Sequence, residues 1–298
     1  MTMDLKAYLH EKRLIVEQTL QDLMLTPQGL LAEHIEAMSY SLFAGGKRVR
    51  PILCIAAAES LGTDLNGLLP VAASLEFIHT YSLIHDDLPA MDNDELRRGK
   101  PTNHIVHGEA AAILAGDGLL TMAFEILSAP QLRPTISAEK QVRLIHILAT
   151  AAGPQGMVGG QAIDIASEGK EIPFTTLRYL HSCKTGALIT AAVQMGAVLG
   201  DADAEQYQAF TDYGRNIGLA FQIVDDLLNV ESTTEQLGKA AGSDAELDKA
   251  TYPAFFGVEE TKKKALNAVA EAIRALDGFD GKADPLREIA NYIYYRKR

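Results

Sequence analysis

The chain has 298 residues, with 39 acidic against 27 basic side chains and a net charge of −12. That acidic surplus excludes a protein whose affinity rests on neutralising nucleic-acid phosphates, which needs a basic excess or stripe. A hydrophobic share of 47% excludes a disordered chain.

Ala, Leu, Ile and Met recur at helical spacing from end to end, whereas alternating β-branched stretches and Asn-Gly hairpin signals are almost absent, so the fold class predicted is all-α. The opening MTMDLKAYLHEKR carries neither the apolar run nor the small-residue cleavage site of a secretory leader. No apolar stretch approaches about 20 uncharged residues, so no membrane span is expected and a cytoplasmic location is. Thr26-Pro27 offers a cap and a first-turn proline for a helix that Gly45-Gly46 closes. Arg50 before Pro51 suits the start of a second helix that runs to about Gly62. A third, apolar enough to be buried, spans about Asn66 to Asp87 and stops at Pro89. Further helices are predicted over 109–128, 137–166, 174–199, 203–230, 250–275 and 284–296. With no composition shift, repeat or low-complexity tract, the economical architecture is one helical bundle over 1–298. Cys54 and Cys183 show no CxxC or zinc spacing and read as reduced, packed thiols.

The most informative stretch is HTYSLIHDDLPAMDNDELRRGKPT, from His79 to Thr102. It places Asp86, Asp87 and Asp92 just before Arg97 and Arg98. A solvated helix end with ordinary surface charge would look similar, but the preceding helix is apolar, so burial carries its C-terminal end inward, where clustered carboxylates need cations. Carboxylates at a helix C-terminus also oppose the helix dipole, a cost that a divalent ion offsets. GLAFQIVDDLLNV repeats the arrangement: Asp225 and Asn229 share a helical face, with Gln222 one turn earlier. Two such helices facing each other would make a cavity for hard divalent ions such as magnesium. Anion-binding capacity comes from GGKRVRP, where Gly46, Lys47, Arg48 and Arg50 lead into a helix N-terminus. His79, Ser82 and Asp86 fall on one helical face. Gly159-Gly160 costs about 1 kcal/mol per residue inside a helix; close approach or a kink would explain it, and lining a substrate cavity would supply the reason.

GGKRVRP (45–51), DDLPAMD (86–92), LRRGKPT (96–102), GGQAID (159–164), KTG (184–186), FQIVDD (221–226) and LGK (237–239) occur in this order across nearly the whole chain. In these motifs the chain closely resembles the short-chain trans-prenyl diphosphate synthases, and among them the bacterial farnesyl diphosphate synthases. The resemblance implies a head-to-tail condensation: an allylic diphosphate ionises, and the double bond of isopentenyl diphosphate attacks the cation. It implies three magnesium ions between the aspartate motifs, with manganese as a substitute, held by Asp86, Asp92 and Asp225. Asp87 and Lys184 join these as catalytic residues. Arg97, Lys184, Thr185, Gln222, Lys239 and Lys249 would surround the allylic substrate, and Lys47, Arg50, His79 and Arg98 would hold isopentenyl diphosphate. The departing diphosphate would take the proton, so no side-chain base is named. A homodimer is usual for the family.

Product length in such enzymes depends on the bulk upstream of the first aspartate motif. Tyr81 stands five residues before Asp86, which with the four residues between Asp87 and Asp92 looks like the farnesyl type. On a helical wheel, however, Tyr81 lies about 140° from Asp86 and Ser82 about 40°. Plain core packing would also explain Tyr81. Asn229 replaces the usual third Asp of the second motif, and Asn93 an acid common after the first. Geranylgeranyl diphosphate synthesis is the alternative product reading. A class I terpene cyclase would not need Lys47, Arg50 and Arg98, and a non-catalytic synthase subunit would be expected to lose its aspartate motifs. A di-iron bundle needs two Glu-x-x-His repeats, and only Glu76 to His79 fits.

Overall fold

The computed structural model describes residues 3–64, 67–132, 135–231 and 250–295. The helices are α1 (Leu5–Leu23), α2 (Ala32–Leu42), α3 (Val49–Ser60), α4 (Leu69–Asp86), α5 (Asn103–His107), α6 (Glu109–Ser128), α7 (Ala138–Ala152), α8 (Met157–Ser167), α9 (Phe174–His181), α10 (Ala187–Leu199), α11 (Ala204–Glu231), α12 (Tyr252–Phe256), α13 (Val258–Ala275) and α14 (Asp284–Tyr295). Strands β1 (Leu96–Arg97) and β2 (Lys100–Pro101) form a small hairpin. Packing divides the chain into two compact units. The first takes Leu9–Ile52 and Asn66–Ile145; the second takes Met1–Tyr8, Leu53–Leu65 and His146–Arg298.

In the first unit α4 is the spine. Val71 to Ile78 is wholly buried, with Glu76 the one acid among them. Helix α6 lies along α4 and against α2. Close approach to α4 is possible because Gly116 leaves room for the His85 ring: a Cβ there would sit 2.1 Å from its Nε2. In the second unit α11 packs on α10 and α13. Gly218 of α11 meets the backbone of Gly186 at the head of α10, where a Cβ would come within 2.9 Å of the Gly186 Cα. Tyr213 is fully buried and donates to the Leu286 carbonyl at 2.6 Å.

Several boundaries differ from the sequence expectations, each for a local reason. The helix placed after Thr26-Pro27 begins only at a 3₁₀ turn, Gly29–Leu31. The stretch 137–166 is two helices, because Gly153 and Pro154 end one and Gly156 precedes the next. The stretch 250–275 is divided by Gly257 at φ 72°. The stretch 174–199 stays helical but widens to a π turn over Ser182–Gly186. The hairpin was not anticipated; its corner residues Arg98 and Gly99 both have positive φ, the type I′ geometry that matches strand twist. Two stretches, Glu109–Leu132 and Phe174–Leu199, do reach the length and hydropathy of a membrane span, contrary to expectation, with 44% and 67% of their apolar windows buried inside the protein.

Candidate active site

In the first unit, α4 ends at Asp86, and the following turn folds back so that the Asp92 amide donates to the Asp86 carbonyl at 2.9 Å. This brings the two half-buried aspartates of the first motif together. Asp87 points elsewhere: it is 3% exposed and accepts from Arg97 Nε at 2.6 Å. Burial pulls the Arg97 guanidinium down, but the hydrogen bond and charge of Asp87, with the fields of Asp94 and Asp86, outweigh it and hold the group charged. The hairpin that delivers Arg97 is tied to α2 by Tyr40 Oη to the Pro101 carbonyl at 2.7 Å, and the start of α5, which follows it, by Asn103 Nδ2 to the Ala37 carbonyl at 2.8 Å.

The same hairpin turns Arg98 toward Gly46. At φ 144°, a backbone conformation that side chains rarely adopt, and with the Arg98 guanidinium 2.8 Å from where a Cβ would be, position 46 favours glycine. Lys47 is exposed and Arg50 half-buried, whereas Arg48 between them turns inward at φ 54°. Its Nη1 donates to Glu76 Oε1 at 2.7 Å and its Nη2 to the Leu42 carbonyl at 2.8 Å. Arg48, expected among the anion-binding cations, is thus spent on a buried ion pair with Glu76, a partner that sequence reasoning did not assign. The signal was available in Glu76, a lone acid in an apolar helix, which has to be paired. One turn on, His79 is held well below the ordinary imidazole pKa by burial first, then by the charges of Arg50, Arg98, Arg97 and Arg48. It is neutral there and offers a hydrogen bond rather than a charge. Tyr81 is buried and sets its ring edge-on to His85 at 5.7 Å. Ser82 is half-buried and donates to the His79 carbonyl at 2.9 Å.

In the second unit, Lys184 and Thr185 ride on the π turn. Lys184 Nζ donates to Asp164 Oδ2 at 2.6 Å, and Thr185 Oγ1 to Gln222 Oε1 at 3.1 Å. Gln222 Nε2 then donates to Asp226 Oδ1 at 3.1 Å, while Asp226 Oδ2 accepts the Tyr252 amide at 2.8 Å. Asp226 is therefore a buried organiser, 3% exposed, and Asp225 is the half-buried member of the pair. Asp164 and Asp226 were both inside quoted motifs; the four-residue step from Gln222 to Asp226 could have identified the latter. Gly159 and Gly160 have a packing reason: Cβ atoms there would lie 2.1 Å from the Pro154 carbonyl oxygen and 2.3 Å from the Lys184 amide nitrogen. Lys239 and Lys249 lie outside the described residues.

Among the described residues no three His, Cys, Asp or Glu side chains gather into a metal cage. The paired Asp86 and Asp92 instead fit magnesium, which is commonly held by one or two carboxylates plus substrate phosphates.

The helices and this polar constellation define an all-α prenyltransferase with the isoprenoid synthase fold. The polyprenyl synthetase profile matches residues 32–284, and the chain belongs to that family. It is 50% identical to a geranylgeranyl diphosphate synthase of Cyanophora paradoxa, covering 98% of this chain and 97% of that one. It is 45% identical to a farnesyl diphosphate synthase of Geobacillus stearothermophilus, covering 99% and 98%. An apo crystal structure of an FPP/GFPP synthase from Zymomonas mobilis superposes with a TM-score of 0.87 at 38% identity, over 99% of this chain and 100% of that one. The protein is a trans-prenyltransferase that condenses isopentenyl diphosphate with allylic diphosphates.

Proposed function

We propose that the product is farnesyl diphosphate. The observation that carries this is Tyr81, buried on α4 and backed by His85, whose Nε2 lies 3.0 Å from the Ile113 carbonyl and against Gly116. A tyrosine so backed cannot swing aside without emptying packed space. The relatives favour a twenty-carbon product: the geranylgeranyl synthase is 50% identical and the farnesyl synthase 45%. That is the second reading.

In the mechanism we infer, Lys47, Arg50 and Arg98 hold isopentenyl diphosphate by charge and the neutral His79 by hydrogen bonding. By the family resemblance, Lys184, Thr185, Gln222 and the Asp87-braced Arg97 are assigned to the allylic diphosphate, as are Lys239 and Lys249, which lie outside the described residues. Asp86, Asp92 and Asp225 would hold three magnesium ions, which neutralise the leaving diphosphate when bound. Manganese would substitute. Asn229 can offer a cation only its carbonyl oxygen and brings no charge. The departing diphosphate accepts the final proton. A cytoplasmic homodimer is part of the same reading.

Incubation with magnesium, isopentenyl diphosphate and labelled dimethylallyl or geranyl diphosphate should give a fifteen-carbon product, and Tyr81→Ala should lengthen it. A twenty-carbon product from the unaltered protein overturns the length assignment alone; no elongation overturns the synthase reading. Asp86→Ala should cut kcat about a hundredfold or more, while Lys47→Ala should chiefly raise KM for isopentenyl diphosphate.

A further inference from the structure

Behind the turn that carries Lys184 and Thr185, the second unit contains a cavity of about 620 Å³, within the range of about 300–1,000 Å³ usual for small-molecule sites. None of the residues proposed to hold diphosphate or magnesium lines it. The π turn separates the two regions: Cys183 and Gly186 line the cavity, while Lys184 reaches Asp164 and Thr185 reaches Gln222.

The lining combines charge at the surface with apolar depth. Arg178 and Arg215 are exposed contributors, and Asp212, 3.8 Å from Arg215 Nη1, is the one acid of the lining. Two guanidinium groups and one carboxylate leave a single positive charge, which suits a monoanion better than a dianionic phosphate. Ile147, Ala151 and Leu219 supply apolar wall. His181 also lines the cavity. It is 7% exposed, its ring is stacked on Tyr252, and its Nδ1 is buried without a hydrogen-bond partner. A buried polar atom left unpaired is costly, and a ligand that reached it would remove that cost.

We propose that this cavity is a second ligand site, specific for a small carboxylate with a short apolar body: Arg178 and Arg215 draw the carboxylate, the apolar wall takes the body, and His181 Nδ1 receives a polar group or a bridging water. The assignment is independent of the product-length reading.

Calorimetric titration of the magnesium-free, full-length protein with sodium hexanoate is the test. Saturable binding is expected, with hexan-1-ol about tenfold weaker for want of the charge-assisted hydrogen bonds. Arg178→Ala with Arg215→Ala, both at exposed positions, should weaken hexanoate by at least about tenfold without altering the melting temperature or the condensation rate. His181→Phe keeps a ring against Tyr252 and deletes Nδ1, and should also weaken it. Asp86→Asn should leave hexanoate binding unchanged. Absence of saturable binding in the millimolar range, equal binding by the double variant, or loss of binding in Asp86→Asn would each overturn the proposal.

Discussion

At the scale of single residues, the GGKRVRP loop shows how one motif divides its cations. Lys47 and Arg50 are half-buried or exposed, but Arg48 is 3% exposed and ion-paired with Glu76, 2% exposed. A buried pair adds little net stability, yet removing one partner strands the other charge, at a cost of about 3–5 kcal/mol. Glu76→Gln keeps the shape and removes the charge, so urea unfolding should show a loss of about that size. Arg48→Met with Glu76→Leu should recover most of it; an unchanged midpoint in Glu76→Gln would show that the pair is not desolvated. The three cations were visible in the sequence, but their division was not. It depends on a positive φ at Arg48 and a partner 28 residues away, neither of which periodicity encodes. Asp87 and Asp226 teach the same lesson. Each belongs to an adjacent aspartate pair that looks uniform in sequence, and burial assigns one of the two to structure.

At the scale of elements, most helices were legible because apolar spacing survives wherever a helix has a buried face. The breaks were less so. Periodicity runs on through Gly153-Pro154 and Gly257, and two-residue strands are too short to show alternation. The π turn has no sequence signature at all, yet it sets Lys184. Helix α8 packs against it at Gly160, where a Cβ would lie 2.3 Å from the Lys184 amide nitrogen and 2.7 Å from its Cα. Because those are backbone atoms, Gly160→Ala cannot be absorbed by a rotamer change. It should cost about 1–3 kcal/mol of stability, and the displaced Lys184 should raise KM for the allylic substrate about tenfold, one missing charge-assisted hydrogen bond's worth. Gly169→Ala is the control: φ is 63° with nothing within 4 Å, so strain should lower stability by about 1 kcal/mol and leave KM unchanged. Equal kinetic effects from the two would sever Gly160 from Lys184.

At the scale of the whole molecule, composition and periodicity were enough for the all-α class, and motif order was enough for the family. The net charge of −12 was a poor guide to the site, since residues 37–58 carry three cations and no acid while 86–98 carry five acids and two arginines. What total charge conceals most is which titratable groups are kept uncharged. His79, half-buried in the first unit, and His181, buried in the second, are both kept neutral: burial, then Lys184, lowers His181 to about 4 from 6.5, against the opposing charge of Asp164, and His79 is lowered as well. The unfolded chain therefore binds protons at these positions below about pH 6.5 that the folded chain refuses. Stability from both is complete above that value and falls as pH decreases toward the folded pKa. Between pH 6.5 and 5, before most carboxylates titrate, His181 should cost about 2 kcal/mol, and His79 acts in the same direction. Urea unfolding at pH 7.5 and 5 measures the sum, and His181→Phe should reduce the difference by about 2 kcal/mol, because a phenyl ring takes up no proton in either state. If the difference were the same in His181→Phe as in the unaltered protein, His181 would not be the buried neutral group that the packing around Tyr252 makes it.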